Sequence, residues 1–247
     1  MKLSIVIPVR NEEEVISGTV VDISEELNRQ TIDHEIIVVN DNSTDQTEKV
    51  LKDLVAQVPF FRYMNNSHPG GFGRAVRFGL GFYTGDCVAV YMGDGCDSPS
   101  DLVAFYRKMV EGGYDAVFGS RFIAGSKTAD YPYLKYFINR MANQFIRLLF
   151  GLRYNDITNA FKLYRRETID GLKPFLSPQF NLTVELSLKT IVRGYSYTWI
   201  PNSWTNRRGG VSKLRIKEMG SRYLFIIFYC FIEKYLTRGD YQKKSGS

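Results

Sequence analysis

The sequence predicts an α/β fold: a mostly parallel, doubly wound sheet flanked by helices, followed by a C-terminal amphipathic helix. Three observations predict it. The 247 residues are enough for one large α/β domain with a substantial core. Short apolar runs alternate with amphipathic segments, and the loops between them are short. The first run, Leu3–Val9, is continuously apolar, as expected of a parallel strand covered on both faces.

The next elements follow from periodicity and capping. Asn11 is expected to cap a first helix, and the apolar positions from Val15 to Leu27 keep the helical period. Ser43 and Gln46 predict a capping box for a second helix. The elements predicted next are a strand at Glu35–Val39, a helix at Thr44–Gln57, a strand at Phe60–Met64 and a helix opened by Gly70-Gly71-Phe72-Gly73-Arg74.

An acidic turn follows the fourth predicted strand. Val88–Met92 is a short apolar run that ends in Gly93-Asp94-Gly95-Cys96-Asp97. Ser98 and Pro99 suit the N-cap and first position of a helix that ends near Glu111. The turn therefore lies at the carboxyl end of a strand, where open α/β sheets bind ligands. Asp94 and Asp97 are hard oxygen donors suited to Mg²⁺ or Mn²⁺ shared with a diphosphate, and the alternative is a capped turn with solvated acids.

The second half contains one long amphipathic helix, predicted at Tyr133–Phe150 with Gly151 just past its end. Its polar stripe has i, i+4 spacing, and a solvated face is the simplest interpretation. Its apolar stripe comprises Leu134, Phe137, Ile138, Met141, Phe145, Leu148 and Leu149, and its polar stripe comprises Lys135, Asn139, Asn143 and Arg147. The elements predicted after it are a loop and strand at Asp156–Arg165, a helix at Leu182–Val192 and a strand at Tyr195–Ile200.

The positive charge is concentrated near the C-terminus. The chain carries a net charge of +6, whereas Arg207–Lys244 holds ten basic and three acidic residues, so the rest is about neutral. Within this segment Tyr223–Ile232 is apolar all round, but ten helical residues cover only about 15 Å of a hydrocarbon core of roughly 30 Å. The segment is expected to pack on the protein or to lie in a membrane interface, and its charge predicts an anionic partner.

Several classes of protein are disfavoured. Three cysteines without framework spacing indicate a reducing compartment and neither a disulfide scaffold nor a zinc site. The N-terminus, MKLSIVIPV, is too short and strand-like for a signal peptide. The first strand is not followed by G-x-G-x-x-G, which argues against a nicotinamide or flavin domain. Gly70–Gly73 is a weaker signal, compatible with a nucleotide near a helix start or with a plain turn.

Seven motifs together resemble the family 2 glycosyltransferases of the GT-A fold, and most closely the dolichyl-phosphate mannose synthase and bacterial polyprenyl-phosphate glycosyltransferase group. The resemblance covers about residues 2–217. In chain order the motifs are IVIPVRNEEEVI, EIIVVNDNSTDQT, GGFGRAVRFGL, MGDGCDSP, VFGSRF, NDITNAFKLYRRE and IPNSWTNRRGGVSKL.

The resemblance implies a role for each part of the site. The acidic turn would bind the metal and the donor diphosphate, and Arg121 would contact phosphate. The base and the rest of the nucleotide would lie against Pro8, Asn11, Glu12, Asp41, Gly73 and Arg74. The acceptor phosphate and the donor phosphates would be held by Lys135, Asn139, Arg207, Arg208, Ser212 and Lys213.

The sequence departs from the family pattern at three points. The usual D-x-D is replaced by Asp94-Gly95-Cys96-Asp97, which leaves open which carboxylate leads at the metal. Asn40 stands where an aspartate is common. The transmembrane helices of many relatives are missing from this sequence, which implies a peripheral enzyme or a membrane-protein partner. A homo-oligomer is the alternative to such a partner.

The leading hypothesis is a metal-dependent inverting enzyme that moves a sugar from a UDP- or GDP-sugar to a polyprenyl phosphate at the cytoplasmic face of a membrane. An ionised phosphate needs no general base, whereas a saccharide hydroxyl needs a carboxylate such as Asp156 or Glu185. The alternatives are a glycosyltransferase that extends a saccharide and a non-catalytic nucleotide-sugar-binding protein. Residues 1–213 would form the glycosyltransferase domain, and residues 214–247 a basic, aromatic helix and tail.

Overall fold

The computed structural model of the chain describes residues 1–206 and 216–243. Within these residues seven strands form one sheet in the order β3-β2-β1-β4-β7-β5-β8, in which only β7 runs antiparallel to its neighbours. The strands are β1 (Leu3–Val9), β2 (His34–Asn40), β3 (Phe61–Asn65), β4 (Cys87–Val90), β5 (Ala116–Ser120), β7 (Lys162–Arg165) and β8 (Tyr197–Pro201). A separate ribbon pairs β6 (Thr128–Ala129) with β9 (Trp204–Thr205).

Eight helices accompany these strands in the described part of the chain. They are α1 (Ile16–Arg29), α2 (Thr47–Val55), α3 (Phe72–Gly79), α4 (Pro99–Gly112), α5 (Tyr133–Phe150), α6 (Arg166–Gly171), α7 (Leu182–Val192) and α8 (Ile216–Leu236). The two faces of the sheet bury two clusters of side chains. Alternate residues of β1 pack against α1, α2 and α4 on one face, while Val6 and its neighbours pack against α3, α5, α7 and α8 on the other. The predicted α/β fold is confirmed.

Two predicted helix starts are wrong. Asn11 lies five residues before α1, in a left-handed conformation with φ of 52°, and its side chain binds Thr44 instead of capping the helix. The capping box of Ser43 and Gln46 does not form, because α2 begins at Thr47 and Ser43 accepts the backbone N–H of Asn11. In both cases the polar side chains join the loops after β1 and β2 to each other.

Helix α5 has the predicted bounds but the opposite orientation. Asn143, from the polar stripe, is only 1% exposed and lies against the protein. Of the apolar stripe, Leu134 and Leu148 are 67% and 74% exposed, and Phe137, Met141 and Phe145 are also exposed. The polar stripe is thus not a solvated face. The helix turns its amide and cationic residues inward and presents large apolar side chains to the surroundings.

Helix α8 packs on the protein along one face and is apolar on the other as well. Ile226, Ile227 and Cys230 are buried against the sheet cluster, and Glu233 forms a buried ion pair with Arg193. The exposed side chains of α8 include Leu224, Phe225, Phe228, Ile232, Tyr235 and Leu236. None of the helices in the described ranges is long and apolar enough to cross a membrane. The boundary predicted after residue 213 lies outside the described residues.

Candidate active site

The candidate site lies where the strand order reverses. The chain adds β2 and then β3 on one side of β1, and afterwards returns to place β4 on the other side. The crevice at the carboxyl ends of β1 and β4 is therefore the topological switch point, the place where open α/β sheets bind ligands. The loops after β1, β2, β4 and β5 carry six of the residues predicted to act, which are Asn11, Glu12, Asp41, Asp94, Asp97 and Arg121.

The loop after β2 places Asp41 beside the start of α3. Asp41 is 4% exposed, and its two carboxylate oxygens accept the backbone N–H of Gly71 and the Asn66 side-chain amide, each at 2.8 Å. The neighbouring loop is tied to this one, because Asn11 binds Thr44 and the backbone N–H of Glu12 donates to Thr47. Pro8 is buried within β1. This side of the site is held rigidly before any nucleotide arrives.

The glycines before α3 are required by packing. Gly71 has φ of 154°, and a Cβ there would meet the carbonyl oxygen of Pro178 at 2.6 Å. A Cβ at Gly73 would lie 2.5 Å from the carbonyl oxygen of Ser177. Arg74 donates to the carbonyl of Gly70. The structure therefore explains these glycines without a ligand, and contacts of Gly73 and Arg74 with a nucleotide remain a prediction.

The acidic turn follows β4. Asp94 accepts the backbone N–H of Cys96, and the backbone carbonyl of Asp97 accepts the Tyr91 hydroxyl. Asp97 is 8% exposed, and no hydrogen bond to its carboxylate comes from the residues that the structure describes. Burial and the nearby Asp94 carboxylate raise the pKa of Asp97 well above its usual value.

The turn suits a divalent cation shared with a substrate. No group of three or more metal-ligating side chains occurs within residues 1–206 and 216–243. Mg²⁺ and Mn²⁺ accept two carboxylates and take their other ligands from water and phosphate. A buried carboxylate that has a second carboxylate nearby, and no hydrogen-bond donor within residues 1–206 and 216–243, fits such an ion, so Asp94 and Asp97 are the residues that would hold it.

Arg121, at the end of β5, is locked to Asp156. Oδ2 of Asp156 accepts the backbone N–H and Nε of Arg121 at 3.0 and 2.9 Å, and Oδ1 accepts Nη2 at 2.8 Å. The two side chains are 9% and 0% exposed. Burial by itself lowers the pKa of Arg121, but the Asp156 carboxylate outweighs burial and the net pKa is raised. Asp156 is thus engaged as the partner of a guanidinium.

Lys135 lies in an aromatic cluster beside the acidic turn. Its Nζ is 5.2 Å from the centroid of Trp204 and 5.8 Å from that of Tyr131. Strand β9 connects this cluster to the turn, because Trp204 forms a bridge with Asp97 and the N–H of Thr205 donates to the carbonyl of Cys96. The predicted acceptor residue and the predicted metal turn therefore contact the same two-residue strand.

The inward edge of α5 joins the loop that carries Asp156. Asn143 donates to Oδ1 of Asn139 and to the hydroxyl of Thr158, and it accepts the Thr158 backbone N–H. Arg140 donates to the carbonyl of Asn155 at 3.4 Å. These bonds explain why the polar stripe faces inward. Asn139 lies in this network, next to the cluster of Lys135.

Sequence reasoning missed the aromatic members of this site. The guanidinium carbons of Arg121 and Arg140 lie 5.3 and 4.6 Å from the ring centroid of Phe122, and Tyr131 and Trp204 are 4.7 Å apart. No periodic pattern points to these residues. The sequence offers only two signals for these aromatic residues. Phe122 directly follows Arg121, and Tyr131 lies just before α5.

A second buried cation, Lys162 on β7, supports the same loop. Its Nζ donates to the carbonyl of Ile157 at 2.7 Å and to the Ser187 hydroxyl. It is 1% exposed and has no ion pair among the described residues, and burial lowers its pKa to about 7. Lys162 thus fixes the residue next to Asp156.

Glu185 is buried, and its carboxylate is bonded to other groups of the protein. It is 0% exposed, accepts the backbone N–H groups of Leu176 and Ser177 and forms an ion pair with Lys189 at 2.6 Å. The other phosphate-binding residues predicted from the sequence, Arg207, Arg208, Ser212 and Lys213, lie outside the described residues.

Comparison with known proteins identifies a family and relatives of this chain. The family described as Glycosyl transferase family 2 matches residues 4–172. Polyprenol monophosphomannose synthase of Mycolicibacterium smegmatis is 30% identical over 185 residues, which are 72% of this chain and 69% of that protein. Dolichol-phosphate mannosyltransferase of Pyrococcus furiosus is 28% identical over 223 residues, and the match covers 89% of this chain but only 61% of that protein.

Solved structures share the fold. Glucosyl-3-phosphoglycerate synthase of Mycobacterium tuberculosis, in complex with Mn²⁺, UDP-glucose and phosphoglyceric acid, superposes with a TM-score of 0.69 and 18% identity. The match covers 93% of this chain and 79% of that one. At this identity the likeness concerns the fold alone, a mostly parallel sheet flanked by helices.

Proposed function

Because the chain belongs to glycosyl transferase family 2, we propose that it moves a sugar from a nucleotide-sugar to a polyprenyl phosphate. One observation carries the proposal. The cations Arg121 and Lys135 lie in a single aromatic cluster that strand β9 joins to the acidic turn. Two anionic substrates that repel each other need such an arrangement, with a metal for one and side-chain cations for the other.

The donor binds at the carboxyl ends of β1, β2 and β4. Asp41 contacts the base, while Asp94 and Asp97 hold Mg²⁺ or Mn²⁺ against the diphosphate of a UDP- or GDP-sugar. When bound, such an ion would stabilise the negative charge that develops on the leaving nucleoside diphosphate. Support comes from the buried carboxylate of Asp97, which has the Asp94 carboxylate nearby and lacks a hydrogen-bond donor among the described residues.

The acceptor supplies its own nucleophile. A phosphate monoester oxygen is ionised at neutral pH, so attack on the anomeric carbon with inversion needs no general base. A saccharide hydroxyl would need one, and both carboxylates considered for that role are occupied: Asp156 by Arg121 and Glu185 by Lys189. The names of the two curated relatives, a polyprenol monophosphomannose synthase and a dolichol-phosphate mannosyltransferase, support a lipid phosphate.

A lipid acceptor requires contact with a membrane, and we propose that the protein docks peripherally on the cytoplasmic face. Support comes from the apolar outer stripe of α5, a helix that carries no acidic side chain. Exposed leucine and phenylalanine side chains of α8 extend this surface, since Lys234 of α8 donates to the carbonyl of Phe150 of α5. The predicted electrostatic contribution of Arg207–Lys244 belongs to the same proposal, and five of its ten basic residues lie outside the described residues.

The test is a screen of UDP- and GDP-sugars with and without polyprenyl phosphate. We expect one donor to release nucleoside diphosphate in proportion to the added lipid phosphate, and only with Mg²⁺ or Mn²⁺ present. Lipid-independent transfer to a saccharide would favour the alternative of a saccharide-extending enzyme. Nucleotide-sugar binding without turnover on either acceptor would favour a non-catalytic binding protein.

A further inference from the structure

Among the residues that the structure describes, Arg140 is a cation of this site with no carboxylate partner. Arg121 is neutralised by Asp156, with Nε and Nη2 both donated to the carboxylate. Among the described residues no carboxylate lies within 4.0 Å of Arg140, whose one hydrogen bond goes to the neutral carbonyl of Asn155. The positive charge of Arg140 is therefore available to an anion. The charge of Arg121 is largely compensated by the Asp156 carboxylate.

The position of Arg140 is suited to a phosphate beside Arg121. Both guanidinium carbons lie over the ring of Phe122, at 5.3 and 4.6 Å from its centroid, so they are at most about 10 Å apart. Arg121 is in turn 5.8 Å from the ring of Tyr131, which Lys135 also contacts. Arg140 and Lys135 thus each share an aromatic ring with Arg121, which places the three cations in one aromatic cluster.

The orientation of Arg140 is fixed in advance. Helix α5 places it directly after Asn139, and the Asn155–Thr158 loop is bonded to the same helix through Asn143 and through Arg140 itself. The side chain of Arg140 is half-buried and stacked on Phe122, which limits its rotamers. A guanidinium held in this way can present a planar pair of N–H donors to two phosphate oxygens.

We propose that Arg140 binds the phosphate of the lipid acceptor, a contact that rests on the function proposed above and adds a residue to it. A phosphate monoester carries close to two negative charges at neutral pH. Arg140 supplies part of the matching positive charge, and Arg121 contributes orientation more than net charge because Asp156 accompanies it. Arg140 thereby selects a phosphorylated lipid over a neutral one.

The experiment compares Arg140→Met, Arg140→Lys and Arg147→Met in the full chain. Arg147 is the matched control, since it lies two turns further along α5 and also donates only to neutral groups, the Gln144 side chain and the Leu152 carbonyl. Initial rates are measured while lipid phosphate and donor are varied separately. Binding of farnesyl phosphate without donor is followed by tryptophan fluorescence, because Trp204 belongs to the cluster.

We expect Arg140→Met to raise the acceptor KM and the farnesyl phosphate Kd about ten- to a hundredfold, the loss of one charge-assisted contact. The donor KM and the melting temperature should stay close to wild type, Arg140→Lys should recover part of the loss, and Arg147→Met should behave as wild type. Equal kinetics for Arg140→Met and Arg147→Met would overturn the inference, as would an equal rise in both KM values. If the wild type binds farnesyl phosphate but transfers no sugar to lipid phosphate, the proposed function fails, and the binding data alone decide the role of Arg140.

Discussion

The outward apolar stripe of α5 gives the most demanding prediction about the membrane. Phe137 and Leu148 are 53% and 74% exposed and lie about three turns apart on one stripe. Replacing both with serine removes apolar area without adding charge. A phenylalanine side chain has an area of roughly 200 Å², and about half of that area is exposed at Phe137. Burying this half in lipid contributes about 2.5 kcal/mol to the binding free energy, at about 25 cal/mol per Å². Leu148 adds about 1.5 kcal/mol. The double variant should therefore bind vesicles several hundredfold more weakly, or about thirtyfold if insertion buries half of this area.

The assay is co-sedimentation with vesicles of neutral and of anionic lipid at several salt concentrations. Phe60→Ser is the control, since Phe60 is 68% exposed but precedes β3, at the opposite end of the sheet from the site. Wild type and Phe60→Ser should bind alike, and high salt should weaken both without abolishing binding, because exposed charges are screened beyond about 8 Å at physiological ionic strength. Unchanged binding of the double variant, with an unchanged melting temperature, would refute the membrane role of α5.

Three further outcomes are expected. Asp97→Ala, or excess chelator with the wild type, should abolish donor-dependent turnover, and full activity of Asp97→Ala in EDTA would exclude the metal role. Asp41→Ala should weaken nucleoside diphosphate binding by calorimetry without unfolding the protein, and unchanged affinity would remove Asp41 from the base pocket. The pKa of Lys162 is lowered to about 7 in the fold from 10.5, so the unfolded chain binds more protons between these values and stability rises with pH there. Subtracting the unfolding free energy of Lys162→Met from that of the wild type between pH 6.5 and 9 should isolate this rise, and a flat difference would contradict the burial of a shifted lysine.

The sequence was most informative where a pattern has one structural solution. The apolar run Leu3–Val9 and the helix Leu182–Val192 have the predicted bounds, because each is fixed by its own hydrophobic period. Capping was less predictable. Ser43 and Gln46 had the right spacing, but Ser43 is bonded to the backbone of Asn11 from another loop. Contacts between loops distant in sequence leave no local signal.

The orientation of α5 shows a second limit of prediction from the sequence. Its amphipathic period predicted the helix and both stripes, but the period alone says only that two faces differ. Asn143 faces inward because Thr158 offers it hydrogen bonds, and Phe137 faces outward although it is apolar. The usual assumption that the apolar face packs against the protein fails for this helix.

The site itself was predicted in part. Asp94, Asp97, Arg121 and Lys135 come together around β9, although they are separated by up to 41 positions in the chain. The ion pair of Arg121 with Asp156 was not foreseen, and it changes the charge that Arg121 presents to a ligand.

The central claim, transfer to a lipid phosphate, is tested most directly by offering the enzyme three acceptors with one labelled donor. The acceptors are a polyprenyl phosphate, the same polyprenol without phosphate, and a saccharide. The cationic cluster of Arg121, Lys135 and Arg140 predicts that labelled lipid forms from the polyprenyl phosphate. The polyprenol should react at less than a hundredth of that rate, because a phosphate-binding contact is worth about 1.5–3 kcal/mol and more than one is lost. Transfer to the saccharide in the absence of any labelled lipid would contradict the account.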